Sequence, residues 1–109
     1  MVSGRIPKPC YGRVYKEGRW LANRYLVLYY REDPLPVRLG IVASKRLGKA
    51  CVRNRVKRRI RECFRQEFLP LIKPRGEFVF IARQRAALCS YQELVGAMKY
   101  LLKRMGLLE

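Results

Sequence analysis

Residues 45–65 read KRLGKACVRNRVKRRIRECFR, ten Lys or Arg with a single acid, Glu62. Apolar residues recur among the cations at helical spacing: Val52, Val56, Ile60, Cys63 and Phe64. At 3.6 residues per turn these five fall within roughly a third of the helix circumference. The stretch is therefore a folded amphipathic helix, with one stripe in a core and a densely positive remainder. Such a surface repels itself, and a polyanion that covers it removes the repulsion. Arg53, Lys57 and Arg61 recur every four residues beside the stripe, and Asn54 joins them. Arg55, Arg58 and Arg59 point to other parts of the polar surface. Arginine suits phosphate because its planar fork donates two parallel hydrogen bonds. Asn54 adds neutral donors and an acceptor suited to a sugar or a base edge.

The segments around this helix set the fold class. Upstream, RWLANRYLVLYYRE is rich in aromatic and branched residues and predicts one bent strand or two short ones. Tyr25, Val27 and Tyr29 share one face of it, and Leu26, Leu28 and Tyr30 the other. One face can pack on helices, which leaves the other as a candidate aromatic platform. The turn Glu32–Pro36 leads into a second strand, VRLGIVAS, and the basic loop Lys45–Lys49 then opens the helix, expected from Ala50 to Phe68. Downstream, Phe78–Ala82 is a short, continuously apolar strand of the kind covered on both faces. A last helix is expected from Tyr91 to Met105. Ser90 and Glu93 form its capping box, Leu94, Met98, Leu101, Leu102 and Met105 its apolar stripe, and Gly106 its end. Near the N-terminus, Pro7 and Pro9 predict a flexible basic arm over residues 1–9, followed by a short helix from Cys10 to Lys16 that Gly18 stops. The order is helix, strands, basic helix, strand, helix: an α+β sandwich with helices on one face of a small mixed sheet.

At 109 residues, half of them apolar and 30% charged, the chain is one globular domain, residues 1–109. A formal charge of +17 leaves two classes of partner, nucleic acid and an anionic membrane surface, and favours the first. No apolar run approaches the ~20 residues that span a bilayer, and MVSGRIPKPCYGR carries no hydrophobic signal region, so a cytoplasmic protein is expected. Cys10, Cys51, Cys63 and Cys89 lack CxxC spacing and have no histidine to complete a zinc set, which favours free thiols over a metal site.

The same composition limits the chemistry. Without histidine, the imidazole acid–base pair of small ribonucleases is missing. Asp33 is the sole aspartate and the glutamates are scattered, so the converging carboxylates of a two-metal nuclease cannot be assembled. No Gly-rich phosphate loop of the P-loop type appears. No catalytic residue is expected on the chain, and no metal ligand.

The string SKRLGKACVRNRVKRRIRECFR, Ser44 to Arg65, closely resembles the signature of the bacterial ribonuclease P protein subunit. Its core is Arg53-Asn54-Arg55, then Lys57-Arg58 and Arg61-Glu62, approached through Gly48-Lys49-Ala50. The upstream VYKEGRWLANRYLVLYY and the downstream FVFIAR with its final helix match too, so the resemblance runs from about Tyr11 to Leu102. It implies a four-stranded mixed sheet with three helices in the order αβββαβα, like the second domain of ribosomal protein S5. It also implies a left-handed βαβ crossover where the general rule would give a right-handed one. It implies a partnership with a catalytic RNA that holds the active-site Mg2+ and removes the 5′ leader of precursor tRNA, the protein alone being a monomer with no tightly bound cofactor. On that resemblance, Tyr11, Val27, Tyr29, Asn54 and Lys57 bind the leader. Lys45, Arg46, Lys49, Arg53, Arg55, Arg58 and Arg61 meet RNA phosphates. Cys10-Tyr11 stands where the family commonly has an acid followed by Phe, and Tyr11 keeps the ring. The alternative is a non-catalytic RNA-binding module, such as a ribosomal or chaperone-like protein. A DNA-binding module is weaker, because no dimer element or second reading helix is evident.

Overall fold

The computed structural model describes residues 2–109. In chain order the elements are β1 (Val2–Arg5), α1 (Tyr11–Glu17), β2 (Arg19–Ala22), β3 (Leu26–Glu32), β4 (Val37–Val42), α2 (Ala50–Cys63), β5 (Gly76–Ala82), α3 (Gln84–Leu88) and α4 (Tyr91–Arg104). The strands form one mixed sheet in the order β1-β4-β5-β3-β2. β3 is antiparallel to both β2 and β5, while β5 runs parallel to β4, and β4 to β1. β4, α2 and β5 thus make a parallel crossover, the connection that a helix of this length allows.

The α+β class holds, with two differences from the expected sheet. It has five strands rather than four, because Val2–Arg5 of the expected arm adds β1 beside β4. The prolines that break helix at residues 7 and 9 do not touch this pairing, and they confine α1 to the residues after Cys10. Met1, the rest of that arm's start, lies outside the described residues. Helices also cover both faces rather than one. α2 and α4 bury Val56, Ile60, Cys63, Leu94, Met98, Leu101 and Leu102 against Leu26, Leu28, Tyr30, Phe78 and Phe80. On the opposite face α1 seals a smaller core in which Val14, Ile6 and Val79 are buried among Cys10, Tyr11, Tyr29, Val42 and Ile81. The central strand β5 explains why both faces need cover: all of it but Ile81 is buried. Each fully buried branched or aromatic side chain contributes about 1.5–3 kcal/mol, which offsets the charge repulsion along α2.

Asn23 splits the long upstream strand into two. Its side-chain oxygen accepts from the backbone N–H of Tyr25 and of Leu26 and turns the chain between β2 and β3. α2 keeps α-helical pairing to Cys63, then widens into a π turn over Phe64–Phe68. The extra residue per turn lets Phe64 and Phe68 both enter the core before Pro70 ends the run. α4 begins as its sequence predicts, with Ser90 Oγ accepting from Glu93 N–H and Glu93 returning the bond to Ser90 N–H. The short α3 is the one helix that periodicity did not indicate, since five residues are too few to show a stripe.

Candidate nucleic-acid interface

Strands β1 and β4 and helices α1 and α2 meet around Tyr11. Its ring lies over Gly40 of β4, so close that a Cβ there would stand 2.5 Å from the phenol oxygen. β1 pairs with β4 only as far as Leu39, which leaves the β4 edge open from Gly40 beneath α2. The result is a groove of about 580 Å³. Tyr11, Lys57, Arg61, Arg65, Arg5 and Lys8 line its polar walls, and Ile6, Val37, Leu39, Ile41, Phe64 and Leu69 its apolar ones. Cations on two sides of an apolar floor suit a chain that carries phosphates at its edge and flat rings along its middle.

From the groove an aromatic row crosses the sheet. Tyr11 meets Tyr15 edge to face at 6.4 Å between ring centres, and Tyr15 meets Tyr29 in the same way at 4.9 Å. Trp20 lies beside Tyr29 at 6.1 Å with planes 28° apart. Burial, and then the neighbouring phenols of Tyr11 and Tyr29, push the Tyr15 hydroxyl up, so its neutral form is favoured. Val27 shares this face one residue pair along, opposite Ile81.

The predicted site residues therefore divide. Tyr11, Lys57 and Arg61 come together in the groove. Val27 and Tyr29 belong to the adjoining sheet face, reached through Tyr15. Asn54 is exposed on α2 one turn before Lys57 and does not line the groove. Arg53 is half-buried with a buried Nε that has no partner, and Arg55 and Arg58 are exposed. Arg59 is structural, donating to the Cys89 carbonyl at 2.8 Å and tying α2 to the start of α4.

Lys45, Arg46 and Lys49 sit at the start of α2. Lys49 is the N-cap residue, no side chain caps this end, and no acid lies in the first turn. α4 has all that α2 lacks here. An uncapped helix start with cations around it is poorly arranged for the free protein, by about 1 kcal/mol for the cap alone, and well arranged for a phosphate. Arg46 also lines a second basic pocket of about 600 Å³ with Arg24, Arg83 and Arg85. Helical periodicity could not group these four, because Arg24 lies in the β2–β3 turn, Arg46 before α2, and Arg83 and Arg85 at the start of α3. Strand register does group them: Leu26 stands opposite Ala82 and Val42 opposite Ile81, so these three connections emerge at one end of the sheet.

Among the described residues, no three His, Cys, Asp or Glu side chains come together that could hold a metal ion. No helix among them is long and apolar enough to cross a membrane.

Known proteins match this arrangement along nearly its whole length. The Ribonuclease P family profile matches residues 7–106. The ribonuclease P protein component of Clostridioides difficile is 41% identical over 93 residues, 84% of this chain and 82% of the relative. That of Clostridium kluyveri is 43% identical over 96 residues, 86% of each chain. The solved structure of the Staphylococcus aureus RNase P protein superposes with a TM-score of 0.85 at 30% identity, covering 100% of both chains. The Thermotoga maritima RNase P protein gives 0.83 at 31% identity, covering 92% of this chain and 96% of its own. With profile, relatives and fold in agreement over the basic helix, both cores and the groove, the chain belongs to the bacterial ribonuclease P protein component family.

Proposed function

We propose that this chain binds the catalytic RNA of ribonuclease P and the 5′ leader of precursor tRNA, and so promotes removal of the leader to give the mature 5′ end. The observation that carries the reading is the junction at Tyr11, where a groove lined by Lys57 and Arg61 runs into a row of aromatic rings. Cations without acids take phosphates of any sequence, and stacked rings take unpaired bases of any kind. A single-stranded leader has both features and a folded tRNA body hides its bases. Tyr11, Val27, Tyr29 and Lys57 hold the leader, with Asn54 at its margin. Lys45, Arg46, Lys49, Arg53, Arg55 and Arg58 meet the catalytic RNA or the tRNA body, and Arg61 serves both.

The chemistry rests with the RNA. The chain has no histidine, and the one buried acid among the described residues, Glu77, is taken up by Arg13, Arg31 and Arg38 in a structural cluster away from the groove. Among the described residues no side chains converge into a Mg2+ site, so the catalytic RNA would hold the Mg2+ and the ion would supply the activation of water there. The protein acts as a monomer, and its work is to hold and position two RNAs whose repulsion it screens.

The test is cleavage of precursor tRNA by a bacterial ribonuclease P RNA at low magnesium, with and without this protein. Enhanced cleavage is expected, with precursor bound more tightly than mature tRNA. Absence of any enhancement sinks the proposal. Equal affinity for precursor and mature tRNA would instead mark a ribosomal or chaperone-like RNA-binding module.

A further inference from the structure

Trp20 is the one tryptophan in the chain and stands on β2, the outer strand of the sheet. Strand alternation puts its neighbour Arg19 on the opposite face, where Arg19 donates to the Met105 carbonyl and lies over the Tyr30 ring. Trp20 is therefore directed to the face that carries α1. There its Cα is paired with that of Tyr29, and the two rings lie side by side. The indole is nonetheless 61% exposed, against 38% for Tyr15 and burial for every phenylalanine.

Packing accounts for only part of this. A cross-strand partner for Tyr29 need only cover one edge of its ring, and a branched residue such as Val or Thr would do so while leaving less apolar surface in water. A lone exposed apolar side chain needs no explanation, but Trp20 is not alone. It continues the row of Tyr11, Tyr15 and Tyr29, and it is the ring with the most free surface. Tyr11 and Tyr29 are half-buried and Tyr15 is barely exposed, so the free surface of the row is concentrated at its outer end, on Trp20. With a net charge of +17, the partner drawn to this face is a polyanion, and the polyanion with flat rings to place on an indole is a single strand of nucleic acid.

We propose that Trp20 is a stacking position for a base of the 5′ leader, the outermost of the row that starts at Tyr11. The inference rests on the leader-binding reading above and extends it across β3 to the sheet edge. It has a consequence for length: a leader that ends inside the groove gains nothing from Trp20, and a leader that crosses the sheet does.

Because Trp20 is the sole tryptophan, its emission reports its own contacts without a label. The experiment uses the protein assembled with a bacterial ribonuclease P RNA and titrated with mature tRNA or with precursors whose leaders lengthen one nucleotide at a time. Emission is expected to be quenched once the leader reaches a threshold length, and not by mature tRNA. Trp20→Ala is expected to weaken long-leader precursor about tenfold and leave the shortest leader unaffected, with Trp20→Phe recovering most of the loss. Circular dichroism of both variants separates binding from folding. If emission and affinity are both indifferent to Trp20 while Lys57→Ala still discriminates against the leader, Trp20 has no such role and the proposed function stands. If no form of the protein distinguishes precursor from mature tRNA, the leader reading itself fails. If Trp20→Ala alters only the association state in sedimentation, a second copy of the chain covers the indole and the inference is overturned.

Discussion

Arg13 of α1 donates from Nη2 to Oε2 of Glu77, in the middle of the sheet, at 2.9 Å. Glu77 is 1% exposed, and Arg38 of β4 and Arg31 of β3 reach the same carboxylate. Arg31 in turn bonds to Glu17 and Asp33, which hold it more firmly protonated. One acid thus ties α1 and two strands to β5 on the face where the aromatic row lies. The helix that presents Tyr11 is anchored both by this cluster and by the buried Val14.

Removing the charge at Glu77 leaves three guanidinium groups facing one another. Glu77→Gln is expected to destabilise the protein by about 3 kcal/mol, the lower end of the cost of breaking a buried pair, since the arginines remain partly in water. Urea unfolding measures it. A loss under about 1 kcal/mol would show that Val14 and Ile6 position α1 by themselves.

Much of this was legible in the sequence, and the rest was hidden for identifiable reasons. The stripe Val56-Ile60-Cys63-Phe64 and the Ser90–Glu93 capping box are local patterns, and both form as read. β1 was not legible, because Pro7 and Pro9 dominate the N-terminal segment and a parallel edge strand depends on a partner that lies more than 30 residues away. The covering of both sheet faces was implied by the continuously apolar FVFIA, yet the choice of α1 as the second cover is a tertiary fact. The groove draws Arg5, Lys8 and Lys57 from distant segments, so only the folded chain shows that they face one another. Trp20 carries no signal in the sequence, because a single aromatic at a strand start is most often packing.

Gly40 gives Tyr11 its place, and the pair can be tested as a pair. A methyl group at residue 40 would displace the phenol, since the built Cβ lies 2.5 Å from its oxygen and 2.7 Å from the ring carbon that carries it. Gly40→Ala is expected to weaken leader-bearing precursor about as much as Tyr11→Ala, roughly five- to tenfold, within the range of one lost stack. Once Tyr11 is alanine, Gly40→Ala should cost little more, the non-additivity that marks two residues acting through one contact. Full additivity in the double-mutant cycle would mean that Tyr11 does not act from above Gly40.

Counterion release should dominate affinity for the catalytic RNA. Neutralising about six to ten phosphates lowers affinity ~10³–10⁵-fold between 50 and 200 mM salt. Lys57→Ala is expected to reduce the salt slope for precursor by about one and to weaken precursor more than mature tRNA. Equal losses for the two RNAs would move Lys57 out of the leader path. A nearly flat salt response would contradict the use of α2 as a phosphate-binding surface.

Alkaline pH probes the main core. Burial pushes the Cys63 thiol up from 9.0 to about 12. Burial, and then the nearby Glu32 carboxylate, raise the Tyr30 hydroxyl from 10.0 to about 12. Tyr30 also donates to the Arg75 carbonyl at 2.6 Å, a bond that its ionised form cannot make. Both groups therefore stay protonated in the folded protein at pH values where the unfolded chain has released its protons. The unfolded state then binds fewer protons than the native one, so stability must fall as pH rises. The contribution is intact below pH 9 and is lost progressively between about pH 9 and 12, first through Cys63 and then through Tyr30. Urea midpoints at pH 8, 9, 10 and 11 should decline in that order, and Cys63→Ala should flatten the early part of the decline. Thiol reagents supply an independent check: exposed Cys51 should react in the native protein, and Cys63, at 0% exposure, only on unfolding. Rapid native-state modification of Cys63 would mean that α2 separates readily from the sheet, and the groove that depends on its position would then be transient.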